Sequence, residues 1–249
     1  MFTQQSLQPH DTTSTDEFRD YVYSVSHDVG APVRAMVEFS RLLADEHAKD
    51  LNDDGRLYLS LIVENGEKLQ HMMEGLLEYS RLNTEAQPFG PVDCMKPFKN
   101  AMITLDDIIR KTRAQIECNT LPEIEGDGTQ IWQLFTALLD NALKFQPLYN
   151  TPCIKVTAEE QGNFWQFSFA DNGIGIDKRF HKKIFQLFQR LHASEEYTGV
   201  GIGLTLARKV IHRHGGTIWI KSTEENGSTF VFTLPKRCQM IESKNDPLP

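Results

Sequence analysis

Apolar residues recur at intervals of three and four through the first third of the chain, the spacing of one face of an α-helix. The first apolar stripe runs from Phe18 to Leu43 and predicts a helix that ends at about Ala48. Turn residues follow at 52–55, and a second stripe predicts another helix that ends at about Arg81. Two long helices joined by a short turn form an antiparallel hairpin.

The predicted hairpin has too little surface of its own to bury both apolar stripes. A second copy of the chain would supply the missing surface, because two hairpins can pack into a four-helix bundle around a shared core. We therefore predict a homodimer whose interface is built from this hairpin.

After residue 92 the pattern changes to a mixture of helical periodicity and short apolar runs. Helices are predicted at about 96–112, after Asp127 and after Gly203, and strands at about 116, 153–159, 164–170, 217–221 and 228–234. This order predicts an open mixed sheet that is covered by helices on one side.

A break between the two patterns lies at Gln87-Pro88-Phe89-Gly90-Pro91, because neither proline-rich nor glycine-containing segments continue a helix. The chain is therefore divided into a flexible tail at 1–13, a helical domain at 14–86, a linker at 87–92, an α/β domain at 93–237, and a second flexible tail at 238–249.

Composition and charge exclude several classes of protein. The net charge of −8, without any long run of basic residues, argues against binding to nucleic acid. The four cysteines lie far apart with no CxxC pair, so neither a zinc site nor a disulfide framework is expected. No apolar stretch approaches the roughly 18 residues of a membrane span, and the N-terminus does not have the pattern of an export signal. We expect a soluble, cytoplasmic protein.

A candidate nucleophile lies on the first predicted helix. His27 follows the apolar residue Val25 by two positions, about 200° around the helix axis, so its ring is expected to face solvent. Asp28 could accept the imidazole proton, although a solvated surface carboxylate is the ordinary alternative. Gly30 and Pro32 are both unfavourable inside a helix, and unfavourable residues beside a candidate nucleophile favour function over chance.

The helix after Asp127 has a second face that could meet a ligand. Ala137, Asn141 and Lys144 line up at positions i, i+4 and i+7. An Asn offers a neutral oxygen to Mg²⁺ and a Lys offers a point charge to phosphate, which suits a triphosphate. Taken alone, the segment is also compatible with an ordinary amphipathic helix.

Two glycine clusters indicate a nucleotide pocket. The first, Asp171-Asn172-Gly173-Ile174-Gly175, follows an apolar strand and places a carboxylate beside a sharply turning backbone. The second, Gly199-Val200-Gly201-Ile202-Gly203, precedes a helix whose N-terminal amides could receive phosphate oxygens. A single DxGxG motif is a common turn, but the two clusters together favour nucleotide binding.

The segment 178–197 between the glycine clusters is rich in polar and basic residues, with apolar residues, Phe185 and Phe188 among them, in its middle part. Phe185 and Phe188 predict the anchors of a mobile lid, and Arg190 and His192 are available to phosphate. An ordinary surface helix and loop is the alternative interpretation.

These segments occur in an order that resembles the catalytic core of two-component sensor histidine kinases: a histidine motif, an asparagine helix, a glycine cluster, a phenylalanine segment and a second glycine cluster. The resemblance covers about residues 18–236. The motif Ser-His-Asp-x-x-x-Pro-x-Arg at 26–34 and the segment 184–192 are most similar to the phytochrome-like group of that family.

The resemblance implies a fold and an activity. It implies a dimerisation and histidine phosphotransfer domain at 14–86, which forms a four-helix bundle on dimerisation, and an α/β sandwich ATP-binding domain at 93–237. It also implies a kinase that uses ATP and Mg²⁺ and phosphorylates itself on His27, with Asp28 as the acid/base neighbour. The phosphoryl group would then pass to an aspartate on a response-regulator receiver domain.

The resemblance further implies roles in the ATP site. Asn141 would be the Mg²⁺ ligand, Lys144 and Arg190 would contact phosphate, and Asp171 would anchor the adenine. The glycines of both clusters would act as hinges of the lid: Gly173, Gly175, Gly199, Gly201 and Gly203.

Two positions depart from the family pattern. Ala137 stands one turn before Asn141, where the family often carries an additional Asn, so we expect weakened Mg²⁺ handling. Ala31 stands four residues after His27, where many members place a Thr or Asn that orients water to dephosphorylate the regulator. Because a methyl group cannot orient water, we predict weak or absent phosphatase activity.

Other functions stay open at this point. The same ATP fold serves chaperone, mismatch-repair and topoisomerase ATPases, but the hairpin that carries His27 argues against that class. A degenerate dimeric scaffold or phosphotransfer protein would bind a receiver without using ATP, which Ala137 favours and the intact glycine clusters oppose. No sensor is visible, so the signal is expected from a separate sensory partner or from a sensor domain of a longer chain.

Overall fold

The chain folds into two units. The computed structural model describes residues 12–82, 86–191, 197, 199–222 and 227–237, and for residues 12–25 and 27 it describes the backbone alone. The two compact units are Met1–Thr84 and Glu85–Pro249. The predicted tails at 1–13 and 238–249 lie outside the described residues, apart from Thr12 and Thr13, which begin the first helix.

The first unit is an antiparallel pair of helices, α1 (Thr12–His47) and α2 (Asp53–Arg81). Asn52 caps α2, because its side-chain oxygen accepts a hydrogen bond of 2.8 Å from the Gly55 amide. Gly66 lies so close to α1 that a Cβ atom there would overlap the Val37 side chain. The small residue therefore allows the helices to approach closely.

The residues buried between the helices differ from the stripe predicted in the sequence. Val33, Val37 and Leu59 are buried within the pair. Met36 and Phe39, which belong to the predicted stripe of α1, are 56% and 70% exposed. The stripe therefore lies on an outer face of the hairpin, which agrees with its predicted use as the contact with a second copy.

The second unit is built on a five-stranded mixed sheet in the order β2-β4-β5-β7-β6. Its strands are β2 (Gln115–Cys118), β4 (Cys153–Gln161), β5 (Phe164–Asp171), β6 (Ile218–Ser222) and β7 (Ser228–Pro235). Strand β2 pairs with β4 in parallel, and the other neighbours are antiparallel. The predicted open mixed sheet is confirmed.

Helices α3 (Met95–Thr104), α4 (Asp106–Thr112), α5 (Gly128–Lys144) and α6 (Gly203–Arg213) complete the unit. The core forms where Phe135 of α5 meets Phe167 and Phe169 of β5, with ring centroids 6.0 and 5.4 Å apart.

The single helix predicted at 96–112 is wrong: Leu105, with φ −100° and ψ 10°, separates α3 from α4. Acidic residues directly after Leu105 favour the start of a new helix.

The segment predicted as a linker at 87–92 also differs from the structure. Residues Gly90–Asp93 form strand β1, which pairs antiparallel with β3 (Glu123–Gly126). Pro91 had favoured a break, but a proline is tolerated in a short edge strand, where its missing N–H is not needed. The second unit therefore includes this part of the predicted linker. Otherwise the prediction of a helical hairpin followed by an α/β domain is confirmed.

Candidate nucleotide-binding site

A cavity of about 220 Å³ lies in the second unit, between the C-terminal half of α5, the two glycine clusters and the segment 178–191. Four separate parts of the sequence thus meet at one place. The cavity is lined by eight of the residues that the sequence predicted for a nucleotide site: Asn141, Lys144, Asp171, Gly175, Arg190, Gly199, Gly201 and Gly203.

Asp171, the last residue of β5, is held in place by two backbone amides. Its Oδ1 accepts hydrogen bonds from Gly173 at 2.8 Å and from Ser228 at 3.1 Å. Burial raises the pKa of the carboxyl group to about 6, and the two amides oppose that rise. Among the described residues no donor bonds Oδ2, and Asp171 lines the cavity, so this oxygen keeps its capacity to accept from a ligand.

The turn after Asp171 is fixed to the end of α5. The Ile174 amide donates to the Phe145 carbonyl at 3.1 Å. A Cβ atom at Gly173 would overlap the same carbonyl, so the turn can approach α5 only because this residue is a glycine. Gly173 itself does not line the cavity, but its amide orients Asp171.

The wall formed by α5 carries both signs of charge. Burial raises the pKa of Asp140, and Lys144 opposes the rise. Burial also lowers the pKa of Lys144, with Asp140 opposing and Arg190 adding to the shift. Asp140 was missed in the sequence, although its spacing of four residues from Lys144 could have revealed it. Ala137 lines the same wall with a methyl group.

The second glycine cluster adopts backbone angles that only glycine accepts readily. Gly199 and Gly201 have φ of 125° and 77°. A Cβ atom at Gly201 would come within 2.6 Å of the Gln189 carbonyl, and one at Gly199 would overlap Lys144 Nζ. The cluster can therefore pass close to Lys144 and to the predicted lid, and α6 begins at its last residue.

The described part of the predicted lid contains two short 3-10 helices, Lys178–Phe180 and Lys183–Phe185. Phe185 is buried, as the anchor prediction requires, and Phe188 is half-buried with φ of 60°. The Arg190 guanidinium donates to the Tyr197 carbonyl. His192, the other predicted phosphate contact, lies outside the described residues.

Tyr197 joins this segment to the end of α5. Its ring lies 5.0 Å from the Phe145 ring, and its hydroxyl donates to the Gln146 carbonyl at 3.1 Å. Tyr197 was not predicted from the sequence, because a tyrosine in a polar stretch carries no signal of its own.

The predicted phosphoacceptor segment lies on α1 in the first unit. The backbone of His27 is helical and Asp28 is exposed, whereas the side chain of His27 is outside the description. Helix α1 continues through Pro32, and Ala31 is exposed on its surface. The roles of His27, Asp28 and Ala31 stay predictions at this point.

Two features are absent from the described residues. None of the described helices is long and apolar enough to cross a membrane. Likewise, no group of three or more His, Cys, Asp or Glu side chains in the described ranges could hold a metal ion by itself.

Two known families match the chain. Residues 19–85 match the family described as "His Kinase A (phospho-acceptor) domain", and residues 126–237 match "Histidine kinase-, DNA gyrase B-, and HSP90-like ATPase". The first match covers the helical hairpin and the second covers the whole cavity. The second match therefore predicts that the second unit binds ATP.

Curated relatives match nearly the whole chain but are much longer. Cyanobacterial phytochrome A of Nostoc sp. (strain PCC 7120 / SAG 25.82 / UTEX 2576) is 35% identical over 93% of this chain and 30% of its own length. Phytochrome-like protein Cph1 of Synechocystis sp. (strain ATCC 27184 / PCC 6803 / Kazusa) is 32% identical over 89% of this chain and 30% of its own length. The chain thus spans about a third of the length of these relatives.

Solved structures show the same fold. ShkA in complex with AMPPNP has a TM-score of 0.64 at 22% identity and covers 90% of this chain and 47% of its own. The catalytic domain of histidine kinase ThkA has a TM-score of 0.53 at 28% identity and covers 61% of this chain and 97% of its own.

Proposed function

Since the chain belongs to the two-component sensor histidine kinases, of which it carries the catalytic core, we propose that it is an ATP-dependent protein kinase that phosphorylates itself on His27. One observation carries the proposal. Asn141, Lys144, Asp171 and Arg190 converge on a single cavity in a chain that also carries a phosphoacceptor-type hairpin.

The charges around the cavity suggest the orientation of the nucleotide. Asp171 Oδ2 would accept a hydrogen bond from the exocyclic amine of adenine. Lys144 and Arg190 would contact the phosphates, because both line the cavity and bring positive charge to it.

Mg²⁺ would be held by the Asn141 side-chain oxygen together with the phosphates, and the Asp140 carboxylate on the same wall adds a second oxygen donor. Oxygen donors of this kind suit Mg²⁺, which usually takes few protein ligands and keeps phosphate and water as the others. Bound there, the ion would offset the charge of the phosphates.

The proposed reaction has two transfers. A nitrogen of the His27 imidazole attacks the γ-phosphorus, the bond from phosphorus to the bridging oxygen breaks, ADP leaves, and Asp28 accepts the imidazole proton. A carboxylate oxygen of a receiver aspartate then attacks the phosphorus of phosphohistidine and forms an acyl phosphate. The bond from phosphorus to the imidazole nitrogen breaks, and the imidazole takes back a proton, which restores His27. In-line attack needs the nitrogen within about 3 to 3.5 Å of phosphorus, so we expect domain rearrangement to precede it.

The exposed apolar stripe of α1 supports the proposed homodimer. Met36 and Phe39 would meet a second copy in a four-helix bundle, which makes the kinase a homodimer. A response-regulator receiver domain would be the acceptor of the phosphoryl group. The source of the signal, either a separate sensory partner or a sensor domain of a longer chain, and the cytoplasmic location stay predictions.

A second function is favoured by one residue. Ala137 gives the cavity a methyl group where a further side-chain oxygen would assist Mg²⁺. A dimeric scaffold or phosphotransfer protein that binds a receiver without using ATP would tolerate this change.

The kinase proposal is tested by incubating wild type and His27→Gln with Mg²⁺ and γ-labelled ATP, followed by acid and alkali treatment. We expect acid-labile, alkali-stable label in wild type and none in His27→Gln. His71→Gln is the matched control, because His71 is an exposed histidine on α2, and it should label like wild type. Binding of ATP without labelling would instead support the scaffold.

A further inference from the structure

A polar cluster with two buried residues, Asp127 and His214, lies at the ends of α5 and α6 that are remote from the nucleotide cavity. Asp127 caps the start of α5, and His214 follows the last residue of α6. The cavity is lined by the other ends of the same helices, at Asn141 and Gly203. Both helices therefore run from the proposed ATP site to this cluster.

The two helix ends are joined directly. His214 Nε2 accepts a hydrogen bond of 3.0 Å from the Asp127 amide, and Nδ1 lies 2.8 Å from the Val210 carbonyl, to which it can only donate. The imidazole is therefore neutral, with its proton on Nδ1. Burial lowers the pKa of His214, which agrees with this form. A Cβ atom at Gly126 would come within 2.9 Å of the ring, so the ring is closely packed.

The same cluster holds the chain segment that precedes β1. The Gln87 amide donates to Asp127 Oδ2 at 2.8 Å, and the Gln87 carbonyl accepts from Arg213 at 3.3 Å. The Phe89 ring stacks on the His214 ring with centroids 4.6 Å apart, and the Arg213 guanidinium lies 4.6 Å from the centre of the Phe89 ring. We call these five residues the Asp127 cluster: Gln87, Phe89, Asp127, Arg213 and His214.

Helix capping explains only part of the Asp127 cluster. The cap uses Asp127 Oδ1, which accepts from the amides of Thr129 and Gln130 at 3.0 and 3.2 Å. The other oxygen, together with Arg213, serves the segment 87–89. The Asp127 carboxylate is buried and the Arg213 guanidinium is half-buried. Such a pair adds little net stability, but it fixes geometry, because the buried charge must keep its partners.

We propose, on the basis of the kinase function proposed above, that Arg213 and His214 are positioning residues for autophosphorylation. They fix the segment 87–89, by which the ATP-binding unit is joined along the chain to the hairpin that carries His27. The chain therefore enters the ATP-binding unit at a fixed point. Because the Asp127 cluster is remote from the cavity, its loss should slow phosphoryl transfer without weakening ATP binding.

The test uses the full chain with Arg213→Ala and Phe89→Ala, which remove the contacts to the segment from either side. We measure the autophosphorylation rate at saturating ATP, the Kd of a fluorescent ATP analogue, and hydrogen exchange of the Gln87 amide. Both variants should lose about ten- to a hundredfold in rate, because small misplacement of reacting groups has effects of that size. The analogue Kd should stay within about twofold of wild type, which separates positioning from binding, and the Gln87 amide should exchange faster.

Three further variants sharpen the comparison. Arg213→Lys keeps the charge but cannot form the paired hydrogen bonds of a guanidinium, so its rate should lie between those of wild type and Arg213→Ala. His212→Ala and Arg208→Ala are the matched controls on the same helix, and neither should change the rate.

Each contrary result has its own meaning. Faster Gln87 exchange with an unchanged rate in both variants would overturn the positioning role, and so would a Kd that rises in parallel with the loss of rate. A wild-type chain that binds ATP but does not label would refute the kinase function itself, on which this inference rests.

Discussion

The Tyr197 ring packs against the Phe145 ring, with centroids 5.0 Å apart, and thereby joins the predicted lid to the end of the helix that carries Asn141 and Lys144. Phe145 in turn accepts a hydrogen bond from Ile174 in the first glycine cluster. One aromatic pair thus connects three segments that line the cavity. The position of the lid should therefore depend on Tyr197.

Tyr197→Ala should weaken ATP binding by about tenfold or more, because it removes both the ring pair and the hydroxyl bond to Gln146. Tyr197→Phe removes only the hydroxyl bond and should cost a few-fold, since one hydrogen bond contributes about 0.5 to 1.5 kcal/mol. The measurement is the Kd of a fluorescent ATP analogue.

Tyr149→Ala is the control for this pair. Tyr149 lies in the loop that follows α5, and it is 96% exposed. It should bind the analogue like wild type. Equal affinities for Tyr197→Ala and Tyr149→Ala would show that the ring pair does not hold the lid over the nucleotide.

The pKa of Asp171, raised to about 6, predicts that ATP binding depends on pH. The ionised carboxylate can accept a hydrogen bond from adenine at Oδ2, whereas the protonated group loses that acceptor. Affinity should therefore be constant above pH 7 and should fall as the pH drops through about 6. Titration of analogue binding between these limits gives the apparent pKa.

The raised pKa of Asp171 has the opposite effect on the stability of the nucleotide-free unit: a lower pH weakens ATP binding but raises stability. The folded pKa lies above the unfolded value, so the folded state binds the proton more tightly, and the contribution of Asp171 to stability rises as the pH falls through about 6. Asp171→Asn should bind ATP weakly at every pH and should lack both dependences. A wild-type affinity that stays flat down to pH 5 would contradict the proposed contact with adenine.

The candidate site was predictable from the sequence because its residues occur in short local motifs. Asp171 and the glycines of both clusters carry their signal in spacing alone, and all of them except Gly173 line one cavity. Tyr197 and the Asp127 cluster were not predicted, since their partners lie far apart along the chain. His214, for example, bonds to an amide 87 positions away.

The fold was predictable to a similar extent, and its prediction failed at some positions for similar reasons. Periodicity identified both hairpin helices, but not that Val33 and Val37 would be buried while Phe39 stays exposed. That choice depends on which face meets α2, which a single helix pattern does not contain. Strand β1 was missed because Pro91 is unfavourable locally, whereas its pairing with β3 is a property of the folded unit.

Gly201→Ala should disrupt the cavity. Its φ of 77° disfavours any side chain by about 1 kcal/mol. A Cβ atom would also lie only 2.6 Å from the Gln189 carbonyl oxygen, which is too close for a normal contact. Gly162→Ala is the matched control, because Gly162 has φ of 58° but open space around it. Both variants should lower the melting temperature, and only Gly201→Ala should lose affinity for the ATP analogue. Equal affinities would show that the second glycine cluster tolerates a side chain.

Phe39→Glu should separate the predicted homodimer into monomers. Phe39 is 70% exposed in the single chain, and a four-helix bundle would bury it, so a carboxylate there would have to lose its water without a partner. Ile103→Glu is the control, because Ile103 is similarly exposed, at 73%, but lies in the second unit. Sedimentation equilibrium should give a dimer for wild type and Ile103→Glu and a monomer for Phe39→Glu. A wild-type monomer, or a dimer that survives Phe39→Glu, would mean that this apolar stripe does not form the interface between two copies.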